Sequence, residues 1–226
     1  LTFKGFQPEA LKFLHDLDLN NNKEWFEAKR SDYESLILTP LRQLVMALSS
    51  FMHDIDPDIE LRPVVNKTIS RIYRDTRFSK DKRMFRNHMW IKFMHPGKEW
   101  HTKPSWWFEI MPNAYTYGMG FYQANTATMQ HFRDRMEIDT YEFRHVISYL
   151  NGTPPFQLEG VRYKRNIKNE LPEDLQTWYQ RRNMYLICKR PAEALLFSPK
   201  IVDHIKQRYL ELEPLYHFWM QCSYIV

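Results

Sequence analysis

Glycine is scarce in this chain of 226 residues, at six, and cysteine is scarcer, at two. Cys188 and Cys222 stand far apart in no C-x-x-C pair, which excludes a disulfide framework and a four-thiolate zinc site and fits a reducing cytoplasm. Cys188 follows Ile187 in an apolar run, the setting of a buried, inert thiol. No stretch approaches the roughly eighteen apolar residues of a membrane span, and residues 1–20 mix Lys, Glu, Asp and His, so we expect a soluble chain that does not enter a membrane.

Nucleotide and hydrolase signatures are also missing. There is no G-x-S-x-G and no P-loop, and Gly118-Met119-Gly120 runs into Phe121 and Tyr122 without the third glycine or an immediate helix. Ser79-Lys80-Asp81-Lys82 fits S-x-x-K but lacks its S-D-N and K-T-G companions. His88, His95 and His101, with Glu99 between the last two, match no metal-ligand spacing. We therefore expect neither a metal nor a cofactor.

What is abundant is aromatic and, locally, basic. The chain is 43% hydrophobic, 15% aromatic and 26% charged, enough to bury the core of one domain. Its net charge of +5 is unevenly spread. Residues 1–66 hold seven Lys/Arg against eleven Asp/Glu, residues 67–92 nine against two, and residues 162–190, including Arg181 and Arg182, eight against three. The basic character is thus a property of segments.

The hydrophobic pattern predicts a helical part over 1–62, mainly strands over 63–123, and mixed helices and short strands over 124–226. Pro8 opens a first helix that Asn20-Asn21-Asn22 stops; Asn22 caps a second, with Trp25, Phe26 and Tyr33 turned to the core. A break at Pro40 precedes a helix carrying Leu44, Val45, Leu48, Phe51, Met52 and Ile55 to Asp56-Pro57-Asp58. TISRIY, MWIKFM, SWWFEIM and YTYGMGFY read as antiparallel strands. In the last, Tyr115, Tyr117, Met119 and Phe121 form a packed face and Thr116, Gly118, Gly120 and Tyr122 a less demanding one, the glycines marking a close backbone approach. Helices follow at 124–137 and 140–150, a break at Asn151-Gly152-Thr153-Pro154-Pro155, the strand MYLICK, and a final helix over 198–220 with Pro214 as a kink. The expected fold is a single α+β domain, a central antiparallel sheet flanked by N-terminal and C-terminal helices.

NNNKEWFEAKRSDYE, IDPDIE, SRIYRDTRFSKDK, KEW followed by WWFEI, and YGMGFY together resemble the uncharacterised family numbered 2461 among domains of unknown function. The likeness is densest from Asn20 to Tyr122, and GVRYKR with WYQRRNMYL is similar to the family's C-terminal part in diverged form. The resemblance implies a soluble α+β domain and carries over no activity, cofactor or catalytic residue. After SKDK this chain has Arg83-Met84-Phe85-Arg86, where the family's pattern has a small or polar residue and Pro-Tyr-Lys.

The segment Arg71–Arg86 is the candidate site. A single strand would send Arg71 and Arg74 to opposite faces, but a turn near Asp75-Thr76-Arg77 would fold Arg77, Lys80 and Lys82 back over it. Arg71, Arg74, Arg77, Ser79, Lys80, Lys82 and Arg86 would then supply the hydroxyl, ammonium and guanidinium donors that bind an anion, with Asp75 and Asp81 orienting the arginines. For nucleic acid, Tyr73, Phe78, Phe85 and Trp90 would offer rings to unpaired bases. For a phosphorylated small molecule, His88, Glu109, Tyr117 and Tyr122 would line a pocket, making the chain a metabolic enzyme in which Glu109 either pairs with an arginine or moves a proton. Two blander readings stand beside these: a solvated face tied to the acidic N-terminal third, and a surface for a protein partner. The oligomeric state is not encoded.

Overall fold

Helix α1 (Pro8–Leu19) starts on its proline, buries Leu11, Phe13, Leu14 and Leu17, and ends where Asn20 N–H returns to the Asp16 carbonyl. The Asn22 side chain accepts the Trp25 N–H and caps α2 (Lys23–Ala28), as expected. The computed structural model describes residues 2–98, 100–121, 123–150, 155–167 and 170–223. Tyr122, Glu99 and the break at Asn151–Pro154 lie outside the described residues.

The break expected at Pro40 does not occur. Helix α3 (Arg30–Asp32) widens into a π-helical stretch at Tyr33–Leu38, in which Thr39 N–H reaches back five residues to Glu34 O, and continues as α4 (Thr39–Ile55). Pro40 falls at the start of the restored α register, directly after the π stretch. By length and composition alone residues 30–55 could cross a bilayer. Their burial is that of an amphipathic core helix, with Leu41, Leu44, Val45, Leu48 and Met52 sealed inside and Arg42 paired to Glu34 outside.

Five strands form one antiparallel sheet in the order β1-β2-β3-β5-β4: β1 (Met89–Phe93), β2 (Ser105–Ile110), β3 (Ala114–Gly120), β4 (Gln157–Glu159) and β5 (Tyr185–Pro191). Helices α5 (Thr126–Ile138) and α6 (Thr140–Ser148) follow β3, α7 (Glu173–Tyr179) lies between β4 and β5, and α8 (Ile201–Cys222) closes the chain with Pro214 inside it. The fold is α+β, with helices from both ends of the sequence flanking the sheet.

Two sequence expectations are corrected. TISRIY is not a regular strand; it makes isolated bridges, Ile69 to both Val65 and Ile91, and Tyr73 to Phe85. Its donors and acceptors go to scattered partners instead of one ladder, Ser70 N–H to Trp90 O and Lys92 N–H to Thr68 O. Nor has β3 an undemanding face: after Ala114 every residue is buried, because the strand is central. The close approach does hold at Gly120, where a Cβ would lie 2.4 Å from the Tyr185 Cα.

The chain divides into two compact units, residues 1–93, 107–117 and 189–206, and residues 94–106, 118–188 and 207–226. In the first, Phe6 stacks on Phe108 at 5.9 Å and Phe26 on Phe85 at 4.4 Å beside the α4 stripe. In the second, Trp106 packs on Tyr209 and Tyr216, Phe121 on Trp219, and Phe143 on Phe132, Trp178 and Phe218. Gly120→Ala must displace backbone to fit its methyl group, and we expect it to cost about 1–3 kcal/mol in a urea titration.

Candidate functional site

The basic segment is a hairpin-like excursion closed by backbone pairing. Arg74 N–H donates to Met84 O and Arg86 N–H to Ile72 O, both at 2.8 Å, with Tyr73 bridged to Phe85. Phe85 anchors the return arm. The Asn21 side-chain amide accepts its N–H at 2.9 Å and donates to its carbonyl at 3.0 Å, so both backbone groups are satisfied from one side chain. The Phe85 ring, 1% exposed, stacks on Phe26 and meets Tyr73 at 5.0 Å. It is therefore core and not a base-stacking ring.

Within the loop, acids meet most arginines. Asp81 bonds Arg74 at 2.7 Å and Arg83 at 2.8 Å, and Arg83 also pairs with Asp18. Asp75 grips Arg77 through two side-chain bonds, at 3.0 and 2.7 Å, and accepts its backbone N–H. Arg77 first, and Arg83 first, hold the Asp75 and Asp81 carboxyls well below the usual carboxylate range. Glu60-Leu61-Arg62 repeats the same acid-x-Arg clasp, its carboxyl lowered to about 2, chiefly by the Arg62 side chain. These exposed pairs set geometry more than they add stability.

The remaining cations are differently placed. Lys82 donates to the Thr76 carbonyl, which leaves its charge uncompensated. Among the described residues Arg71 and Lys80 make no hydrogen bond or ion pair, Arg71 acting on Asp75 only through space. Ser79 N–H turns back to Thr76 O. Between them Phe78 is 94% exposed, with the Arg77 guanidinium 5.7 Å from its ring.

Beyond the hairpin, β1 and β2 alternate. Met89, Ile91 and Phe93 are buried while Trp90 and Lys92 are half-exposed, as are Trp107 and Glu109 on β2. The Arg86 guanidinium lies 4.9 Å over Trp90 and the His88 ring stacks on the same indole at 5.7 Å. His88 Nε2 is 3.8 Å from Glu109 Oε1, and Glu109 Oε2 accepts the Thr116 hydroxyl at 3.3 Å. Burial raises the Glu109 carboxyl, opposed by Thr116 and Arg86. Burial also lowers His88, joined by Arg86 and Arg74 and opposed by Asp18. Burial alone brings Lys92 down to about 8.

The structure thus brings Arg86, His88 and Glu109 together, and Arg74 to Asp81, but not Tyr117, whose buried hydroxyl bonds His204 Nε2 at 2.9 Å. His95 is directed to Lys103 and His101 meets Trp100 edge-on. Sequence reasoning missed Asn21, read only as a helix stop, and Asp18, Thr116 and Lys92. Strand alternation at Lys92 and the acid-x-Arg spacing were the available signals.

Three outcomes follow from this geometry. Asn21→Ala strands both backbone groups of Phe85 and is expected to lower stability by about 1–3 kcal/mol, read by chemical denaturation. Asp81→Asn leaves Arg74 and Arg83 less neutralised and should tighten binding of any polyanion in a titration at fixed salt. Lys92 loses its proton near pH 8 when folded, whereas an unfolded lysine keeps it to about 10.4. Between those values the unfolded chain binds more protons, so this group makes stability rise with pH, by about 2 kcal/mol from neutral pH to pH 9.5; Lys92→Met should abolish that increment in paired urea titrations.

A search of curated proteins finds no match to this chain. The family model described as Conserved hypothetical protein (DUF2461) matches residues 9–218, which span the helices, the clasped hairpin and the whole sheet. On that match the chain belongs to the DUF2461 family.

Proposed function

We propose that the hairpin Arg71–Arg86 and the adjoining β1 face form an anion-binding surface, and that its ligand is single-stranded nucleic acid. The observation that carries this reading is Phe78, a large apolar ring 94% exposed at the tip of a loop whose neighbours Arg71, Lys80 and Lys82 keep their charge. Exposing such a ring is unfavourable in water, while stacking a base on it is favourable and sequence-tolerant. Trp90, partly buried, already carries the Arg86 guanidinium and the His88 ring, which leaves Phe78 as the stacking surface. Because the free cations are exposed, each phosphate contact is weak and screened, so a polymer that gathers several is favoured over one phosphorylated small molecule.

A second reading rests on the 3.8 Å approach of His88 to Glu109 beside Arg86. Both groups are shifted toward their neutral forms, which suits proton transfer on a small anionic substrate held by Arg86. In this reading the chain is an enzyme, and Glu109→Gln removes turnover while leaving binding.

Fluorescence anisotropy with labelled single- and double-stranded oligonucleotides across a salt series separates the readings. The nucleic-acid proposal expects single-strand preference and a steep salt slope, a loss of about 5- to 100-fold for Phe78→Ala, and a further loss with a shallower slope for Arg71→Glu with Lys80→Glu. All three positions are exposed, so melting temperatures should barely change. Weak oligonucleotide binding, with inorganic phosphate still raising the melting temperature, overturns it in favour of the small-anion reading.

A further inference from the structure

The second unit carries an apolar face that its own core does not use. Helices α5 and α6 meet at Asp139, and at that corner Ile138 and Tyr141 stand 85% and 84% exposed. The apolar residues that these helices bury are others, Met129, Phe132, Met136, Phe143 and Ile147. Along α6 and its C-terminal cap, His145 and Tyr149 follow Tyr141 at four-residue intervals, both exposed, with their two rings 5.8 Å apart. One exposed apolar residue is ordinary, whereas several on one helix corner mark a contact surface.

The charge of this corner is of one sign. Residues 134–142 hold four Asp/Glu against one Lys/Arg, and that cation, Arg135, is taken by Glu142 at 2.8 Å. Asp134 accepts the Gln130 amide at 2.7 Å and Asp139 accepts the Glu142 N–H at 2.7 Å. Both donors are neutral, and among the described residues neither aspartate has an ion-pair partner. The hairpin tip of the first unit is the converse surface. There Phe78 is 94% exposed among Arg71, Lys80 and Lys82, whose charge no ion pair takes up. Each surface joins uncovered apolar side chains to uncompensated charge, and the two charges are opposite.

We propose that these surfaces bind each other between copies of this chain, the Phe78 tip of one copy seated on the Ile138–Tyr141 corner of another, with Arg71, Lys80 and Lys82 facing Asp134 and Asp139. Each copy offers one tip and one corner, so the contacts either close reciprocally into a twofold dimer or run on head to tail. The patches are small and their charges lie in solvent, which makes the contact transient and salt-sensitive. It needs no nucleic acid and stands apart from what else the hairpin binds. A chain engaged in this way has its Phe78 ring covered, so self-association competes with any base stacked there.

The test is sedimentation of the full chain, free of nucleic acid, from about 10 μM to about 1 mM, the range in which weak contacts become populated. The expected result is a weight-average mass that climbs with concentration and falls back when salt is raised. Phe78→Gln, and separately Ile138→Gln with Tyr141→Gln, should each hold the chain as a monomer. All three positions are exposed, so melting temperatures should not move. Mixing the two variants is the decisive arm: one brings an intact corner and the other an intact tip, so together they should form a dimer although neither associates alone. A wild-type chain that is monomeric throughout overturns the proposal, as does association that survives in either variant, or a mixture no heavier than its parts. The corner variant keeps the hairpin whole, so its oligonucleotide binding reports on the hairpin's ligand separately.

Discussion

Everything distinctive about the first unit hangs on the bond between Asn21 and Phe85. A primary amide mimics a peptide group, and here it completes the backbone of a residue 64 positions away without a strand to do so. That lets the return arm of the hairpin lie against the α1–α2 turn, where Phe26 receives the Phe85 ring. Without this attachment the loop from Asp75 to Arg83 would have two short backbone contacts to hold it. With it, the positions of Arg74, Arg86 and His88 are fixed from below, and the charged loop above is free to be polar.

The second organising feature is that a nine-to-two excess of basic residues does not make a uniform positive field. Two aspartates and the distant Asp18 absorb the arginines nearest the hairpin stem, so the remaining charge sits at Arg71, Lys80 and Lys82. The acids act as internal braces. Composition measures how much charge a segment carries, whereas the braces decide where it faces solvent.

How much of this was legible follows from the range of the interactions. Helices α1, α2, α4, α5, α6 and α8 announce themselves through three-and-four spacing and, for α2, through the cap at Asn22; the caps at Asn125 and Asp139 appear only in the structure. Strands β1, β2 and β3 were visible as β-branched and aromatic runs. TISRIY carried the same texture and was misleading, because whether such a run joins a ladder depends on partners as far away as Trp90. At the site, the basic cluster and the chain reversal could be read, as could Asp75 and Asp81 as orienting groups. Asp18, Asn21 and Thr116 could not, since nothing in their own neighbourhoods marks a partner seven to sixty-five residues distant. The π stretch was equally hidden: its six residues read as ordinary helix, and Pro40 as a stop.

That π stretch has a consequence for how the chain tolerates changes in length. A π turn holds one residue more than the α turn it replaces, with each bond spanning five residues in place of four. Removing a single residue between Tyr33 and Leu38 would restore the α phase as far as Pro40, which cannot donate to the ladder, and would rotate the segment upstream by about 100° against α4. A one-residue gap in the middle of a 26-residue helical run, ordinarily ruinous to the phase of a core stripe, is at this place the insertion being undone. What it would displace is the upstream aromatic set, Phe26 and Tyr33, and with it the bed on which Phe85 rests.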